Sequence, residues 1–421
     1  MFSGVRNRLK LELNKVIVSV PRLLLLLRIV NAIAAILVTR TILSYSDIYL
    51  VSVLIKAISI SGGLMLLEFG IGNYLQVALA NGTVSEASRH KVGYFLIATP
   101  SIAAVIASIC LLAITRTTVS VSLCVVLIIS SGAFGIATNT LNQLAFSNNY
   151  LIQGIYQQLV TTVLGWVVLL VAGFFAKVEL FGVTIYYGIV TYVGIWNLLL
   201  VYRFLTTKST YTNHGNQRDQ SLVKTISWYS VEALIQPLLI AGMTFMISLE
   251  SNPGLLRIYA LQIRLINTFC AMFVVVYLSL WSHTTVNGLV KMLQQMRMRL
   301  VVGILGPIIL SILLSVSHKQ WVHFFLRGQS YKWGWLEGLT FLMILMSRTL
   351  LDLSSICAKI IQRQKYITVL SIFSLLCFLG SSIAFSSSIR RILFIYSTLL
   401  SLGAAFTYQI VERKFYAHRD I

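Results

Sequence analysis

Charged residues are scarce in this chain, and acidic residues especially so. Only 11% of the 421 residues are Asp, Glu, Lys or Arg, and Asp and Glu together number 12. A soluble domain carries about a quarter charged residues, so the composition excludes an ordinary soluble protein. With 57% hydrophobic residues and a mean hydropathy of +0.84, the chain has the composition of a membrane protein.

Cysteine and histidine are too few and too scattered for a disulfide framework or a metal centre. The five cysteines, Cys110, Cys124, Cys270, Cys357 and Cys377, all fall within or beside apolar segments. A free thiol behaves there as a small hydrophobe. The six histidines lack the close spacing of zinc ligands. We therefore expect no disulfide, no metal and no cofactor.

Twelve apolar segments are long enough to cross a bilayer, which takes about 20 residues each. Their centres lie near residues 28, 56, 104, 128, 163, 192, 237, 268, 307, 346, 375 and 399. The segments are too long and too uniformly apolar for barrel strands, so the backbone must be hydrogen-bonded within helices. The expected fold class is an all-α polytopic membrane protein with about twelve transmembrane helices. The first segment has no convincing cleavage site and is expected to remain as the first helix.

The net charge of +21 is divided unevenly between the two sides of these segments. With the N-terminus inside, 20 Lys and Arg residues lie on the inner side and nine on the outer side. This asymmetry follows the positive-inside rule and predicts that both termini are cytoplasmic. It also explains the basic charge by topology and contact with anionic lipid, without nucleic acid as a partner. Residues 1–16 have the pattern of an amphipathic helix at the membrane surface.

A polar interruption divides the chain into two halves of six segments. We predict an N-terminal six-helix lobe over residues 1–205, a cytoplasmic linker over 206–224 and a C-terminal six-helix lobe over 225–421. A shift of about 208 residues places the YLVSVLIK stretch that ends at Lys56 over the RIYALQIR stretch that ends at Arg264. Internal repeats are common in transporters, which bind substrate between their halves. The expected architecture is two lobes around a central cavity.

Four basic residues lie inside the predicted spans: Arg28, Lys56, Arg264 and Arg348. Each costs about 2.5–3.5 kcal/mol at a helix centre. One interpretation is structural: Arg28 and Arg264 extend to the membrane surface, and Arg348 pairs with Asp352 one turn later. The other is that the four bases bind a polyanionic substrate in a water-filled cavity. Lys56 and Arg264 are the strongest candidates because the repeat makes them counterparts, one from each lobe.

Three acidic residues lie in or near the spans: Glu68, Glu232 and Asp352. Intramembrane carboxylates are typical of transporters that couple to protons or sodium ions. These three are therefore the candidates for ion coupling. The alternative for Glu68 is an ion pair with a base or a position at a helix end.

The Glu68 segment carries a resemblance to a known family. Gly70 and Gly72 do not form a dinucleotide-binding fingerprint, because no strand precedes them and no third glycine follows in register. The segment LMLLEFGIGNYLQVALANG at residues 64–82 resembles the second-helix region of the Wzx-type O-antigen and polysaccharide flippases. These belong to the multidrug/oligosaccharidyl-lipid/polysaccharide (MOP) exporter superfamily. The chain departs from the commoner Asp-Leu-Gly of that family by having Glu68, Phe69 and Gly70.

The resemblance implies a MATE-like fold and a transport function. The expected substrate is an undecaprenyl-pyrophosphate-linked oligosaccharide, moved from the cytoplasmic to the periplasmic leaflet of a bacterial inner membrane by alternating access. Membrane lipids and polysaccharide-assembly proteins are the expected partners. The cationic spans agree with this from the residues alone, because a cationic cavity stabilises a pyrophosphate.

Three alternatives remain open. A multidrug exporter of the same superfamily would favour an acidic, aromatic cavity for cationic drugs. A flippase for peptidoglycan precursors would commonly have two further helices. A membrane glycan polymerase or glycosyltransferase would need catalytic residues on a large outer loop. The longest outer loop, residues 318–336, contains no acid, and Asp47 is alone in the first loop. We therefore expect a protein that is not an enzyme.

Overall fold

The computed structural model of the protein is helical in every regular segment that it describes. The residues described are 23–24, 26–45, 47–64, 75, 86–115, 117–145, 151–174, 179–206, 241–249, 252, 254–270, 301, 304–317, 320, 323, 335–360, 369, 372–373, 375–376, 378–380 and 389–417. The predictions for Glu68, Glu232, the amphipathic segment 1–16 and the linker beyond Thr206 lie outside these residues.

The first half of the chain contains six described helices and the second half a further set. The first six are α1 (Leu26–Leu43), α2 (Ile48–Leu64), α3 (Glu86–Thr115), α4 (Val119–Leu144), α5 (Ile152–Phe174) and α6 (Glu179–Thr206). The others are α7 (241–248), α8 (254–270), α9 (Ile304–Val316), α10 (Trp335–Ile360) and α11 (Ile389–Ala417). Within the described residues, α1, α3, α4, α5 and α6 are long and apolar enough to cross a membrane.

The longest helix, α3, shows the surface expected of a lipid-facing span. Its segment Arg89–Thr115 has a mean hydropathy of 2.3. Along one side it exposes four large apolar residues, Ile102, Val105, Ile106 and Ile109, each by more than half of its surface. A continuous apolar face of this kind is unfavourable in water but not against lipid. The expectation of a polytopic membrane protein is therefore met by helix surface as well as by composition.

The described helices belong to two compact units. Unit 1 combines Met1–Ala34 with Ile60–Leu234, and unit 2 combines Ala35–Ser59 with Ile235–Ile421. Segment 35–59, which includes the end of α1 and most of α2, therefore packs with the second half of the chain. The boundary predicted from the sequence had placed it in the N-terminal lobe. The physical reason lies in the contacts between α2 and α7.

Two serine hydroxyls of α2 hold it against α7 inside unit 2. Ser52 donates to the carbonyl of Ser248 at 2.9 Å, and Ser59 donates to the carbonyl of Ala241 at 2.6 Å. The two contacts run in opposite directions along the two helices, so α2 and α7 are antiparallel. Such interhelical hydrogen bonds are a principal means of helix association where lipid removes the hydrophobic drive.

In unit 1, small residues allow helices to approach closely. α4 packs against α3 and α6, and α6 also packs against α5 and α3. A Cβ atom added to Gly132 of α4 would collide with the main chain of Ser61, and one added to Gly194 of α6 would lie 2.7 Å from the Cβ of Phe134. Glycine at these two positions is what permits the observed helix spacing, as is typical of membrane helix pairs.

Unit 2 is joined by hydrogen bonds among α8, α10 and α11. The side-chain amide of Gln262 donates to the carbonyl of Glu337 at 3.0 Å, which connects α8 to the start of α10. The hydroxyls of Ser347 and Ser401 lie 2.7 Å apart and connect α10 to α11. These three helices carry most of the charged side chains considered below.

Candidate functional site

Helix α8 presents two arginines on one face. Arg257 and Arg264 are seven residues apart, which places them on the same side of the helix and about 10 Å apart along its axis. Arg257 is almost fully buried, and its guanidinium donates to the carbonyl of Tyr45 at 2.6 Å. The sequence reasoning had counted Arg257 as an outer-loop charge and missed its burial. Its spacing of seven from Arg264 was the signal that could have revealed it.

Arg264 differs from Arg257 in having no such acceptor for its Nε atom among the residues that the structure describes. Its side chain is half-buried. The Nε atom is fully buried and makes no hydrogen bond within the part of the chain that the structure describes. Leaving a buried donor unpaired costs about 1–3 kcal/mol, and more for a charged group. The Nε–H group of Arg264 is therefore a buried donor without an acceptor among the described residues.

Lys56 lies on the face of α2 that packs against α7. It falls between Ser52 and Ser59 on the same side of the helix, because residues four and three apart are neighbours there. Its side chain is half-buried. No described residue forms an ion pair or hydrogen bond with its ammonium group. Lys56 is thus a second cation without a described partner in unit 2.

Lys56 and Arg264 occupy comparable depths within unit 2. The contact between Arg257 and the Tyr45 carbonyl places the starts of α2 and α8 at the same level. Of the two helices, α2 is apolar along its whole length. Lys56 is eight residues into α2 and Arg264 ten residues into α8, about 12 and 15 Å from the two starts. The sequence had assigned them to different lobes, whereas the structure places both in unit 2.

Arg348 has partners. On α10 it hydrogen-bonds the thiol of Cys270 on α8, and the Asp352 carboxylate and Tyr396 of α11 lie within electrostatic reach. Asp352 follows Arg348 by one helical turn, the spacing at which opposite charges meet on a helix. This arrangement favours the structural interpretation of Arg348, as one side of a buried ion pair. Asp352 shares that environment.

Arg28 belongs to unit 1 and lies beside a seam of uncharged polar groups. It is half-buried near the start of α1. One turn on, the Asn31 side-chain oxygen accepts from Thr162 of α5 at 3.1 Å, and the Val30 carbonyl accepts from the Trp166 indole at 3.1 Å. Arg28 is therefore held next to the contact between α1 and α5, in a different unit from the other three cations.

The polar seam of unit 1 continues from α5 into α4 and α6. Gln158 donates to the side chain of Asn142 at 3.3 Å, and Asn197 of α6 donates to Thr138 at 3.1 Å. Gln158 and Asn197 are both nearly or fully buried. We call this set, with Asn31 and Thr162, the amide seam. It carries no formal charge, and nothing in the apolar pattern of these spans had indicated it.

A further carboxylate, Glu337, escaped the sequence reasoning. It lies in the first turn of α10 and is only 5% exposed. The outer loop expected from the sequence, residues 318–336, ends immediately before it, and Glu337 had been given no role on the sequence alone. Its position in the first turn of an apolar helix was the available signal. Of the acidic candidates, Asp352 lies in the Arg348 cluster, while Glu68 and Glu232 are outside the described residues.

Comparison with solved structures identifies the fold. No protein-family model matches the chain, and no curated protein matches it. The chain is similar in structure to a MOP superfamily transporter from Pyrococcus furiosus, with 12% identity, 96% of each chain covered and a TM-score of 0.61. It is similar to the eukaryotic MATE transporter AtDTX14, with 10% identity, 95% of each chain and a TM-score of 0.61. It is also similar to the Vibrio cholerae MATE transporter VcmN in the bent form, with 13% identity, coverage of 95% of this chain and 99% of that chain, and a TM-score of 0.57.

The chain thus has the fold of MATE transporters of the MOP superfamily, which confirms the predicted all-α polytopic class with about twelve spans.

Proposed function

We propose that the protein is a flippase for an undecaprenyl-pyrophosphate-linked oligosaccharide, such as an O-antigen or similar polysaccharide repeat unit. It moves this lipid from the cytoplasmic to the periplasmic leaflet of a bacterial inner membrane, with both termini in the cytoplasm. Polysaccharide-assembly proteins supply the substrate and receive the product. The protein makes and breaks no covalent bond in this cycle.

The observation that carries the proposal is the pair of cations without described partners in unit 2. Lys56 and Arg264 lie in apolar helices, where each charge costs about 2.5–3.5 kcal/mol. Arg257 and Arg348 show how this unit compensates a cation when it is structural, with a carbonyl or a carboxylate. The buried Nε atom of Arg264 lacks both among the described residues, and the structure describes no ion pair or hydrogen bond for the half-buried Lys56. An anionic ligand is the compensation that fits them.

The pyrophosphate supplies the anion that these two residues require. Arg264 can hold two phosphate oxygens with its planar guanidinium, while Lys56 contributes a compact charge. Apolar helix faces accommodate the polyprenyl chain, and sugar hydroxyls remain in the hydrated part of the site. Arg28 is a further candidate contact in unit 1, and Arg348 is the weakest of the four because of its pairing with Asp352.

Fold similarity supports transport by alternating access, with ion coupling as part of the proposal. The Pyrococcus furiosus transporter is described as having a binding pocket of reverse polarity, which suggests a different function for that protein. A polarity that favours anions is what we propose for this chain. Glu68, Glu232 and Asp352 are the proposed sites for the coupling H⁺ or Na⁺, and the burial of Glu337 adds a fourth.

A multidrug exporter is the second candidate. It is favoured by the names of several structural neighbours, which are multidrug resistance MATE family transporters of the MOP superfamily. A cationic drug fits the described helices poorly, because Lys56 and Arg264, the charges of unit 2 without described partners, are themselves cations. Cationic substrates would be repelled by Lys56 and Arg264 unless Glu337 or Asp352 outweighed them.

A leaflet-resolved transport assay tests the proposal. The full chain is reconstituted in vesicles with a defined lipid-linked oligosaccharide, and the fraction of glycan in each leaflet is followed with and without a proton or sodium gradient. We expect protein-dependent movement of intact lipid-linked glycan and no movement of a cationic dye. Movement of the dye alone would support the multidrug exporter, and a change in the covalent structure of the glycan would indicate an enzyme.

A further inference from the structure

We propose that unit 1 has a binding site for the headgroup of an anionic phospholipid where the start of α3 meets the end of α6. The site consists of Arg89, Lys91 and Tyr94 of α3 with Tyr202 and Arg203 of α6. None of these residues takes part in the proposed transport step. The inference therefore does not depend on the identity of the transported substrate.

The site lies at the level where two membrane spans end. The apolar span of α3 begins at Arg89, and that of α6 ends at Thr206. The ring of Tyr202 lies against Gly93, since a Cβ atom added there would be 3.2 Å from the ring. Residues one turn before Gly93 and one turn after Tyr202 are therefore at the same membrane surface. The predicted topology makes this the cytoplasmic surface, where anionic lipids and basic residues meet.

Arg89 supplies the donor that a phosphate would satisfy. Its side chain is half-buried, and its Nε atom is fully buried with no hydrogen bond to any residue that the structure describes. Lys91, two residues further along α3, and Arg203, next to Tyr202 on α6, are exposed, and Glu86 lies three residues before Arg89. Two exposed bases thus accompany the partly sheltered guanidinium of Arg89 at this end of the helices. A guanidinium fixed in this way favours a phosphate oxygen, which it can contact with two N–H groups.

Two tyrosines distinguish this site from a simple basic patch. Tyr94 is 62% exposed, and its ring packs edge-to-face on that of Tyr202 with centroids 6.0 Å apart. The two hydroxyls are also hydrogen-bonded. Tyr94 is five residues beyond Arg89, about 7.5 Å deeper into the membrane. Its ring is thus at the depth of the glycerol and first acyl carbons of a lipid whose phosphate contacts Arg89, the depth that tyrosine favours in membrane interfaces.

The combination of basic residues with an exposed tyrosine ring favours a lipid over a soluble anion. Inorganic phosphate would satisfy Arg89 but leave the exposed part of the Tyr94 ring uncovered. A zwitterionic lipid would supply both phosphate and glycerol, but its choline would be repelled by Lys91 and Arg203. A phosphate headgroup with net negative charge meets all five residues, and each basic residue near the surface attracts it. We therefore assign the site to phosphatidylglycerol or a lipid of the same charge.

The experiment uses thermal unfolding of the purified full chain in detergent, titrated with phosphatidylglycerol or phosphatidylcholine. We expect phosphatidylglycerol to raise the Tm and phosphatidylcholine to raise it less. Arg89→Gln should increase the half-saturating concentration of phosphatidylglycerol at least about fivefold, equivalent to about 1 kcal/mol for one basic residue. Arg413→Gln is the matched control, because Arg413 is an exposed base at the end of α11, and it should leave that concentration unchanged.

Three results would overturn the assignment. An equal rise in Tm with the two lipids would mean that the five residues only anchor the helices at the membrane interface. Equal weakening by Arg89→Gln and Arg413→Gln would indicate general charge attraction, and the same Tm rise with inorganic phosphate at equal concentration would indicate a site for soluble anions. If Arg89→Gln does not fold, the exposed Lys91→Gln replaces it, with an expected weakening of at least about threefold. An unchanged half-saturating concentration of phosphatidylglycerol in the Lys91→Gln variant would also reject the site.

Discussion

The two units of the molecule handle polar groups inside the membrane in different ways. In unit 1 the amide seam pairs neutral groups with one another, for example Thr162 with Asn31 and Gln158 with Asn142. Unit 2 also joins helices through neutral groups, as in the contact of Ser347 with Ser401, but it adds buried and half-buried cations such as Arg257 and Arg264, and each of these requires an anion or carbonyl. Neutral groups can therefore hold helices together without a ligand, whereas a cation without an internal partner needs a ligand to compensate its charge.

Unit 2 itself contains both kinds of cation. Arg257 contacts the Tyr45 carbonyl, and Arg348 lies beside Asp352. Lys56 and Arg264 have no comparable partner among the described residues. If this difference reflects function, the first pair should matter for stability and the second for transport. The following experiments test that division, beginning with the largest expected effect.

Removing both cations without described partners should abolish most transport while the protein remains folded. Charge-assisted hydrogen bonds contribute about 1.5–3 kcal/mol each. The flipping rate of Lys56→Ala/Arg264→Ala at low substrate should therefore fall at least about tenfold. Its Tm should equal or exceed that of the parent, because two unfavourable charges leave the membrane. The measurements are the leaflet-resolved assay and thermal unfolding at matched protein levels.

Charge-conserving variants provide the control for this result. Lys56→Arg and Arg264→Lys should each retain more activity than the corresponding alanine variant, since the charge survives although the hydrogen-bond geometry changes. Normal flipping by the double-alanine variant at matched expression would reject the cationic binding site. Both residues would then return to the structural interpretation, with side chains that extend to the membrane surface.

Breaking the buried pair of unit 2 should instead destabilise the fold. Arg348→Met leaves the Asp352 carboxylate without its neighbouring cation, and removal of one partner of a buried pair costs about 3–5 kcal/mol. The double variant Arg348→Met/Asp352→Leu should recover much of this loss, because no unpaired charge remains. Denaturant unfolding in detergent measures both. A double variant no more stable than Arg348→Met would show that the pair is not what stabilises this region.

Sequence reasoning predicted the fold class because composition and segment length are properties of the chain itself. A bilayer demands about 20 apolar residues per helix, and that demand is visible without any structure. The cations of the spans, Arg28, Lys56, Arg264 and Arg348, were visible for the same reason. Each is a costly exception in an apolar segment, so it is noticed wherever it packs.

The pairing of helices and the status of individual charges could not be predicted in this way. The assignment of residues 35–59 to unit 2 depends on Ser52 and Ser59, whose hydroxyls are unremarkable in a sequence. Arg257 was counted among the basic residues of the outer side and Glu337 was given no role, because burial depends on neighbouring helices. The pairing of Arg348 with Asp352 was predictable as an alternative, since both lie one turn apart on one helix.

Helix spacing in unit 1 gives a smaller effect than the ion pair. Gly132→Ala forces a methyl group into the main chain of Ser61, and overpacking of this kind costs about 1–3 kcal/mol. Gly62→Ala is the matched control, because a Cβ atom there meets nothing within 4 Å. We expect a lower Tm for the first variant and no decrease for the second. Equal Tm values for the two variants would mean that α2 and α4 can move apart without loss of stability.

The smallest expected effect belongs to the amide seam and is the sharpest test of the contrast between the units. Gln158→Leu removes the donor to the Asn142 side chain, and such intramembrane hydrogen bonds contribute about 0.6 kcal/mol on average. The variant should lower the Tm slightly and leave the flipping rate unchanged. Gln157 is the half-buried neighbour of Gln158, and no side-chain hydrogen bond is described for it. Gln157→Leu should therefore change neither the Tm nor the flipping rate. If the seam only joins helices, stability and transport separate in this way. A strong loss of flipping by Gln158→Leu with little change in Tm would instead make the neutral groups of unit 1 part of the substrate path. The amide seam would then no longer be a purely structural contrast to the cations of unit 2.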